Sequence, residues 1–179
     1  AYRYDWDAGF ILSKFDNRRL YHGGNKLMRS DDQGSTWREI SPDLTRGVPK
    51  EMQKLMGQSW SIDQLARKSA MAQIVTIAES PLDENILFVG SGDGLINVTT
   101  NGGINWTKAS TSGLPEYTRI HHIVASNFDA NVAYAACHNY LGGDYKPYIY
   151  KTKDSGKNWF SINNNLPELG STYSIAEDH

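Results

Sequence analysis

The sequence predicts an all-β chain built from repeated four-stranded units, and three observations predict it. An octet of fixed pattern recurs three times. The stretches upstream of each octet recur too, as short apolar runs separated by a polar turn. Val, Ile, Tyr, Phe and Thr fill those runs, while Gly, Asp, Asn and Pro punctuate them, which is the composition of strands and tight turns. Units of roughly 45–50 residues with four strands each are the signature of propeller blades. Helical solenoids, the competing repeat class, fail because the apolar runs are too short and too β-branched. The expectation is an arc of about three four-stranded blades plus one strand, with a short helical insertion.

The first unit occupies residues 1–45. Phe10-Ile11-Leu12-Ser13 and Leu20-Tyr21 flank the turn at Asp16-Asn17, and the octet Ser30-Asp31-Asp32-Gln33-Gly34-Ser35-Thr36-Trp37 follows. Residues 46–72 break the pattern and read as two short helices. Pro49 suits a first helical position, Met52, Leu55 and Met56 share a face, and Gly57 stops the run. Ser61-Ile62-Asp63-Gln64 is then a capping-box pattern with Leu65 and Ala66 behind it.

The second unit, 73–117, places its strands at about 73–79, 86–91, 95–100 and 105–109, around the octet Thr99-Thr100-Asn101-Gly102-Gly103-Ile104-Asn105-Trp106. The third, 118–170, carries Ile123-Val124-Ala125-Ser126, Ala133-Tyr134-Ala135 and the octet Thr152-Lys153-Asp154-Ser155-Gly156-Lys157-Asn158-Trp159. Ile175-Ala176-Glu177-Asp178 restarts the pattern, so 171–179 reads as the first strand of a further blade.

The octets read as folding devices. Asp32 and Asp154, with Asn101 acting through its amide oxygen, are expected to accept backbone N–H groups two residues on. Gly34, Gly103 and Gly156 allow positive φ where the hairpin reverses. Trp37, Trp106 and Trp159 open each outermost strand and present a large apolar body to the neighbours. Ser30, Thr99 and Thr152 head the three copies.

Composition removes several function classes. The 179 residues hold 18 Lys+Arg against 20 Asp+Glu, a net charge of −2, which argues against a phosphate-dominated nucleic-acid binder. No apolar run approaches the ~18 residues of a membrane-spanning helix. With 39% hydrophobic residues the chain is not of a disordered type. One cysteine, Cys137, excludes an intramolecular disulfide and a Cys-rich zinc site. His121-His122 cannot chelate one metal in a regular strand, because adjacent side chains point to opposite faces, and one packed and one solvated imidazole are expected. No motif for a metal, phosphate or other cofactor is present. Asn97-Val98-Thr99 and Asn105-Trp106-Thr107 match glycosylation sequons but fall in predicted strands beside an octet.

The octets are similar to the Asp box, or bacterial neuraminidase repeat, of sialidases, xyloglucan-degrading hydrolases and sortilin-type propellers. The first copy matches in full, the third departs at Thr152 and Asn158, and the second has Asn101 in the Asp position. Ile40-Ser41-Pro42-Asp43-Leu44-Thr45, Ala78-Glu79-Ser80-Pro81-Leu82-Asp83, Gly90-Ser91-Gly92-Asp93-Gly94-Leu95, Gly113-Leu114-Pro115-Glu116 and Lys146-Pro147-Tyr148-Ile149-Tyr150-Lys151-Thr152 extend the likeness. They resemble the large bacterial sortilin-like repeat proteins commonly labelled glycosyl hydrolases. That resemblance implies an internal segment of a longer, exported propeller, hence an extracellular or periplasmic setting. Its partners would be the remaining blades of a parent chain, or a second chain.

Blade strands alternate in direction, so the octets lie on one face and both long excursions, 46–72 and 138–146, on the other. Long loops on one face of a rigid scaffold are where binding concentrates. That face is expected to carry Trp60, Asp93, Tyr117, Arg119, His138, Tyr140, Asp144 and Tyr145, a mixture suited to a polypeptide or glycan. For catalysis, a glycosidase needs two carboxylates roughly 5–10 Å apart. Glu79 and Glu177 share one slot of the innermost strand, but Ala125 holds that slot in the repeat between them. The chain has eight arginines and no Arg-Ile-Pro sequence of the kind that accompanies sialidases. The leading reading is a non-catalytic binding or scaffold segment; the alternative is part of a sialidase- or xyloglucanase-like hydrolase completed by other blades.

Overall fold

A computed structural model describes residues 2–4, 6–49, 56, 58–61 and 72–178. Most of the expected helical insertion, including Met52, Leu55, Gly57 and the 62–66 stretch, lies outside the described residues, as does His179. The remainder is nearly all β: three small sheets, each built on a four-stranded antiparallel meander in chain order. The first holds β1 (Phe10–Leu12), β2 (Leu20–Gly23), β3 (Leu27–Ser30) and β4 (Arg38–Glu39). The second holds β5 (Ile74–Glu79), β6 (Leu87–Ser91), β7 (Ile96–Thr99) and β8 (Thr107–Lys108). The third is built on β10 (Arg119–Ala125), β11 (Ala133–Asn139), β12 (Asp144–Thr152) and β13 (Asn158–Ser161). The chain is a β-propeller arc.

The third sheet has one strand more than the sequence suggests. β9 (Ser110–Thr111) leaves the second unit and pairs in parallel with β13, Asn158 opposite Ser110 and Trp159 opposite Thr111. A two-residue strand of Ser and Thr carries no hydrophobic period, so only tertiary pairing reveals it. It covers an outer edge that would otherwise present unpaired backbone groups.

Side-chain alternation stacks the sheets. Along β6, Leu87 and Val89 join Tyr21, Leu27, Ile74 and Ile77 in a core between the first and second sheets. Phe88, one residue out of phase, joins Val98, Ile120, Ile123, Cys137, Tyr150 and Trp159 between the second and third. This is the period of two that lets one strand serve two interfaces. The innermost strands add a bulge, between Ile74 and Thr76 in β5 and between Ile120 and His122 in β10. The extra residue restores the phase, so Ile74 and Ile77, three apart, fall in the same core. Glycine makes the contact possible: a Cβ on Gly23 would lie 2.6 Å from Ile74, and one on Gly90 2.4 Å from Ile120.

Outside these interfaces the first sheet keeps apolar side chains in contact with solvent, several of them packed edge-on to His22. Phe10, Leu12 and Trp37 are all exposed there. Residues 171–178, expected as the first strand of a further blade, form no strand, yet they are tied to the third sheet at several points described below. Among the described residues no helix is long and apolar enough to cross a membrane.

Candidate functional site

The octets fold as a common hydrogen-bonded turn. In the first, Gly34 N–H donates to Ser30 Oγ (2.8 Å), Ser30 Oγ donates to Asp32 Oδ1 (2.8 Å), and Thr36 N–H donates to Asp32 Oδ1 (2.8 Å). The third repeats this through Gly156, Thr152, Asp154 and Asn158, with Asn158 N–H 2.9 Å from Asp154 Oδ1. In the second, Gly103 N–H donates to Thr99 Oγ1 (3.0 Å), and Asn101 Oδ1 accepts from Asn105 N–H (2.9 Å). The side chain at the Asp position thus reaches four residues on, rather than the two expected. A longer loop with two positive-φ residues separates the groups, Gln33 and Gly34 in the first octet and Ser155 and Gly156 in the third. Thr36 holds the Asp32 carboxyl down at about 2, with its own hydroxyl and N–H both donating. These carboxylates are engaged in the turn's own hydrogen bonds.

The tryptophans diverge by position. Trp159 is 2% exposed and sits edge-on to Phe88 of the preceding sheet. Trp106 Nε1 donates to Ile40 O, also of the preceding sheet (2.7 Å). Trp37 belongs to the first sheet and is 38% exposed.

Glu79 and Glu177 are each held by donors of the preceding repeat. Glu79 accepts from Ser13 Oγ (2.9 Å to each oxygen), Lys14 N–H (2.7 Å) and Tyr21 O–H (3.1 Å), all from the first sheet's unit. Glu177 does the same one unit apart, accepting from Ser126 Oγ (2.7 Å) and Asn127 N–H (2.7 Å). Burial pushes the Glu177 carboxyl up, but the donors from Ser126 and Asn127 outweigh it and hold the group below the usual range. A cavity of about 220 Å³ opens beside β1, β5 and β10, lined by Ile11, Leu12, Ile77, Ile123 and Val124 with Lys14 and Glu79. Its wall is mostly apolar, and its one carboxylate is already bonded.

On the opposite face the predicted residues sort into two groups. Asp93 is buried; its carboxylate accepts from Ser91 Oγ (2.6 Å) and Arg46 N–H (2.8 Å), and burial pushes its pKa up. The Arg46 guanidinium lies over the Tyr117 ring, 5.3 Å from its centroid, and 3.7 Å from Glu116. Arg119, also buried, pairs with Asp7 at 2.9 Å. Beside it, His138 Nε2 lies 3.3 Å from His121 Nδ1, and the Tyr140 and Tyr173 rings lie 4.8 and 4.7 Å from His138. Burial, then His121 and Arg119, pushes the His138 imidazole down to about 4. Its Nδ1 is buried without a hydrogen-bond partner.

Asp144 accepts the Tyr148 hydroxyl (2.5 Å), so it braces its own strand. Tyr145 and Trp60 are exposed. Of the eight predicted residues, Asp93, Arg119 and His138 are therefore buried, and Tyr117, Tyr145 and Trp60 are the accessible aromatic surfaces. Sequence reasoning missed Asp7, Arg46, His121 and Tyr173. Arg46 and Asp7 carry no local signal, since each is defined by a partner at least 47 positions away. The prediction of one packed and one solvated histidine also fails: His121 meets His138, and His122 Nδ1 accepts Ile175 N–H (3.4 Å). Among the described residues no group of three or more His, Cys, Asp or Glu is arranged to hold a metal ion.

No protein-family model matches the chain, and no curated protein does. Solved structures do match. The GH74 xyloglucanase from Xanthomonas campestris is 18% identical, with a TM-score of 0.61 over 91% of this chain and 23% of its own. The Niastella koreensis GH74 enzyme is 20% identical, with a TM-score of 0.52 over 87% of this chain and 22% of its own. YCF48 bound to D1 peptide is 19% identical, with a TM-score of 0.51 over 95% of this chain and 46% of its own. All are β-propeller proteins, and at these identities the likeness is one of fold. The chain spans about a fifth of the two GH74 enzymes and under half of YCF48.

Proposed function

We propose that the chain is a non-catalytic binding and scaffold segment of a larger, exported Asp-box propeller, with a polypeptide or glycan as its ligand. The observation that carries this reading is the state of Glu79. A glycosidase acid or nucleophile needs a carboxylate facing a substrate across from a second one, whereas Glu79 accepts three donors from the neighbouring unit. The octets support the Asp-box assignment through their shared Ser/Thr-to-Asp/Asn hydrogen bonding. On the opposite face, the Arg46 guanidinium lies 3.7 Å from Glu116 and donates to the Asp93 carbonyl, and Arg119 pairs with Asp7, so the accessible surface is offered mainly by Tyr117, Tyr145 and Trp60. Exposed aromatics over internally balanced charge suit stacking against a sugar ring or an apolar peptide side chain. An extracellular or periplasmic setting is part of the proposal and follows from the resemblance of the repeats.

The second reading, a portion of a glycoside hydrolase whose acids lie on other blades, is favoured by the fold likeness to GH74 enzymes. One set of measurements separates the two. Binding of xyloglucan oligosaccharides and of a random-peptide display library is measured for the unaltered chain and for Tyr117→Ala and Tyr145→Ala. Turnover of an aryl β-glucoside is followed in parallel. Binding that both substitutions weaken, without turnover, supports the module. Turnover abolished by Glu79→Gln in a stably folded protein overturns it.

A further inference from the structure

Residues 172–177 lie along the third sheet without joining it as a strand, and three histidines meet them. His121 is edge-on to Tyr173, centroids 5.1 Å apart at 81°. His138 stacks at 4.7 Å against the same ring. His122 Nδ1 accepts Ile175 N–H. Beyond the imidazoles, Thr172 Oγ1 lies 2.5 Å from Cys137 O and 3.0 Å from Tyr148 O, and Glu177 is held by Ser126 and Asn127.

We infer that this flank of the third blade is an acceptor surface for an innermost strand, that it holds residues 172–177 through neutral imidazoles, and that acid releases them. The argument is one of donors and acceptors. His122 can accept Ile175 N–H only while its Nδ1 is unprotonated. The 3.3 Å contact between His138 Nε2 and His121 Nδ1 needs one nitrogen to donate and the other to accept. Protonating both rings removes the acceptor and sets two cations together beside the Arg119 guanidinium. Protonated His138 would also carry an N–H at Nδ1, where no acceptor is available.

The charged and titratable groups around the pair are Arg119 and His122 on β10, Asp7 from the amino-terminal segment, Tyr140 from the turn after β11, and Tyr173 itself. Among the charged groups Asp7 favours the protonated state, and it is engaged by Arg119. Burial lowers His121 as well as His138. The neutral form is the one whose ring nitrogens make the contacts of the docked state. Docking is therefore complete above the ordinary histidine range near 6.5, and weakens as pH falls from there towards about 4.

The test is nuclear magnetic resonance on the isotope-labelled full chain between about pH 8 and pH 4, following the amides of Tyr173 and Ile175, the histidine side chains, and the Trp159 indole as a reporter of the core. The expected result is a tenfold or larger loss of the docked population. Its midpoint should coincide with titration of His121 or His138, while the Trp159 signal holds. Glu177→Gln should keep this response. In the double variant His121→Asn, His138→Gln it should be lost or much reduced. Three results overturn the inference: a segment that stays docked down to about pH 4, a midpoint that matches neither His121 nor His138, or an acid response abolished by Glu177→Gln. Should the double variant fail to fold, the coincidence of midpoints in the unaltered chain decides alone.

Discussion

Glu79 of the second blade is bonded to Ser13 of the first, with the serine hydroxyl 2.9 Å from each carboxylate oxygen. The same relation joins Glu177 to Ser126. In each case the serine hydroxyl also accepts the N–H two residues on, from Phe15 or Phe128. Between these two joints the pattern breaks: Ser80 caps Leu82 in the same way, but Ala125 stands where the third blade would supply a carboxylate. Two of the three junctions are thus fastened by a charge-assisted clamp, while the middle one is joined by the apolar core around Phe88 and Ile120, the β9–β13 pairing and the Ile123 N–H donated to the Thr76 hydroxyl.

Removing the clamp should cost stability. Glu79→Ala leaves Ser13 Oγ, Lys14 N–H and Tyr21 O–H without their acceptor in a buried place. A loss of about 2–3 kcal/mol is expected in urea denaturation, against a smaller loss for Glu79→Gln, whose amide oxygen can still accept. A Glu79→Ala protein of unchanged midpoint would show the clamp to be idle.

The tryptophans give a second prediction, because one motif position occupies two environments. Trp159→Ala should cost about 3–5 kcal/mol, the range for emptying a packed aromatic site. Trp37→Ala, at 38% exposure, should cost about 1 kcal/mol. Equal losses would mean that the octet stabilises locally and that inter-blade packing adds nothing.

Much of this arrangement was legible in the sequence, and the legible part was what repeats. The apolar runs around Ile77 and Ile123, and the three octets, gave the strands and the hairpins, because period-two burial and turn chemistry are local properties. β9 was not legible, since Ser110-Thr111 has no pattern of its own. The role of Glu79 was hidden for the opposite reason. Its slot was correctly placed on the innermost strand, but its partner Ser13 is 66 positions away and belongs to another repeat. The sequence offers eight similar candidates on the face opposite the octets, yet burial separates Asp93, Arg119 and His138 from the exposed tyrosines, and composition cannot show which charges already have partners.

Glycine in the octets supplies a third prediction. Gly34 and Gly156 share positive φ, so alanine at either should cost about 1 kcal/mol from backbone strain. At Gly34 the nearest neighbour of an added Cβ is 3.6 Å away, and nothing more is lost. At Gly156 the Cβ would stand 2.9 Å from Phe88 and 3.2 Å from Val98, both in the packed core, which adds about 1–3 kcal/mol. Thermal melts of the two variants should therefore differ, with Gly156→Ala well below Gly34→Ala. A reversed order would contradict the close packing of the third octet on the second blade.

The exposed apolar side chains of the first blade set the last prediction. At the two inner junctions the octet tryptophan or its glycine meets an apolar residue of the preceding blade, Ile40 for the second octet and Phe88 for the third. The first octet has no such partner among the described residues, and Phe10, Leu12 and Trp37 remain in contact with solvent. Exposed apolar side chains of this size favour association of whatever copies can reach them. Sedimentation velocity of the isolated chain should show concentration-dependent self-association. Phe10→Glu with Leu12→Lys should shift the distribution towards monomer without lowering the melting temperature by more than a few degrees, since neither side chain is buried. A chain that sediments as a monomer at every concentration would show that these side chains tolerate water and need no neighbour.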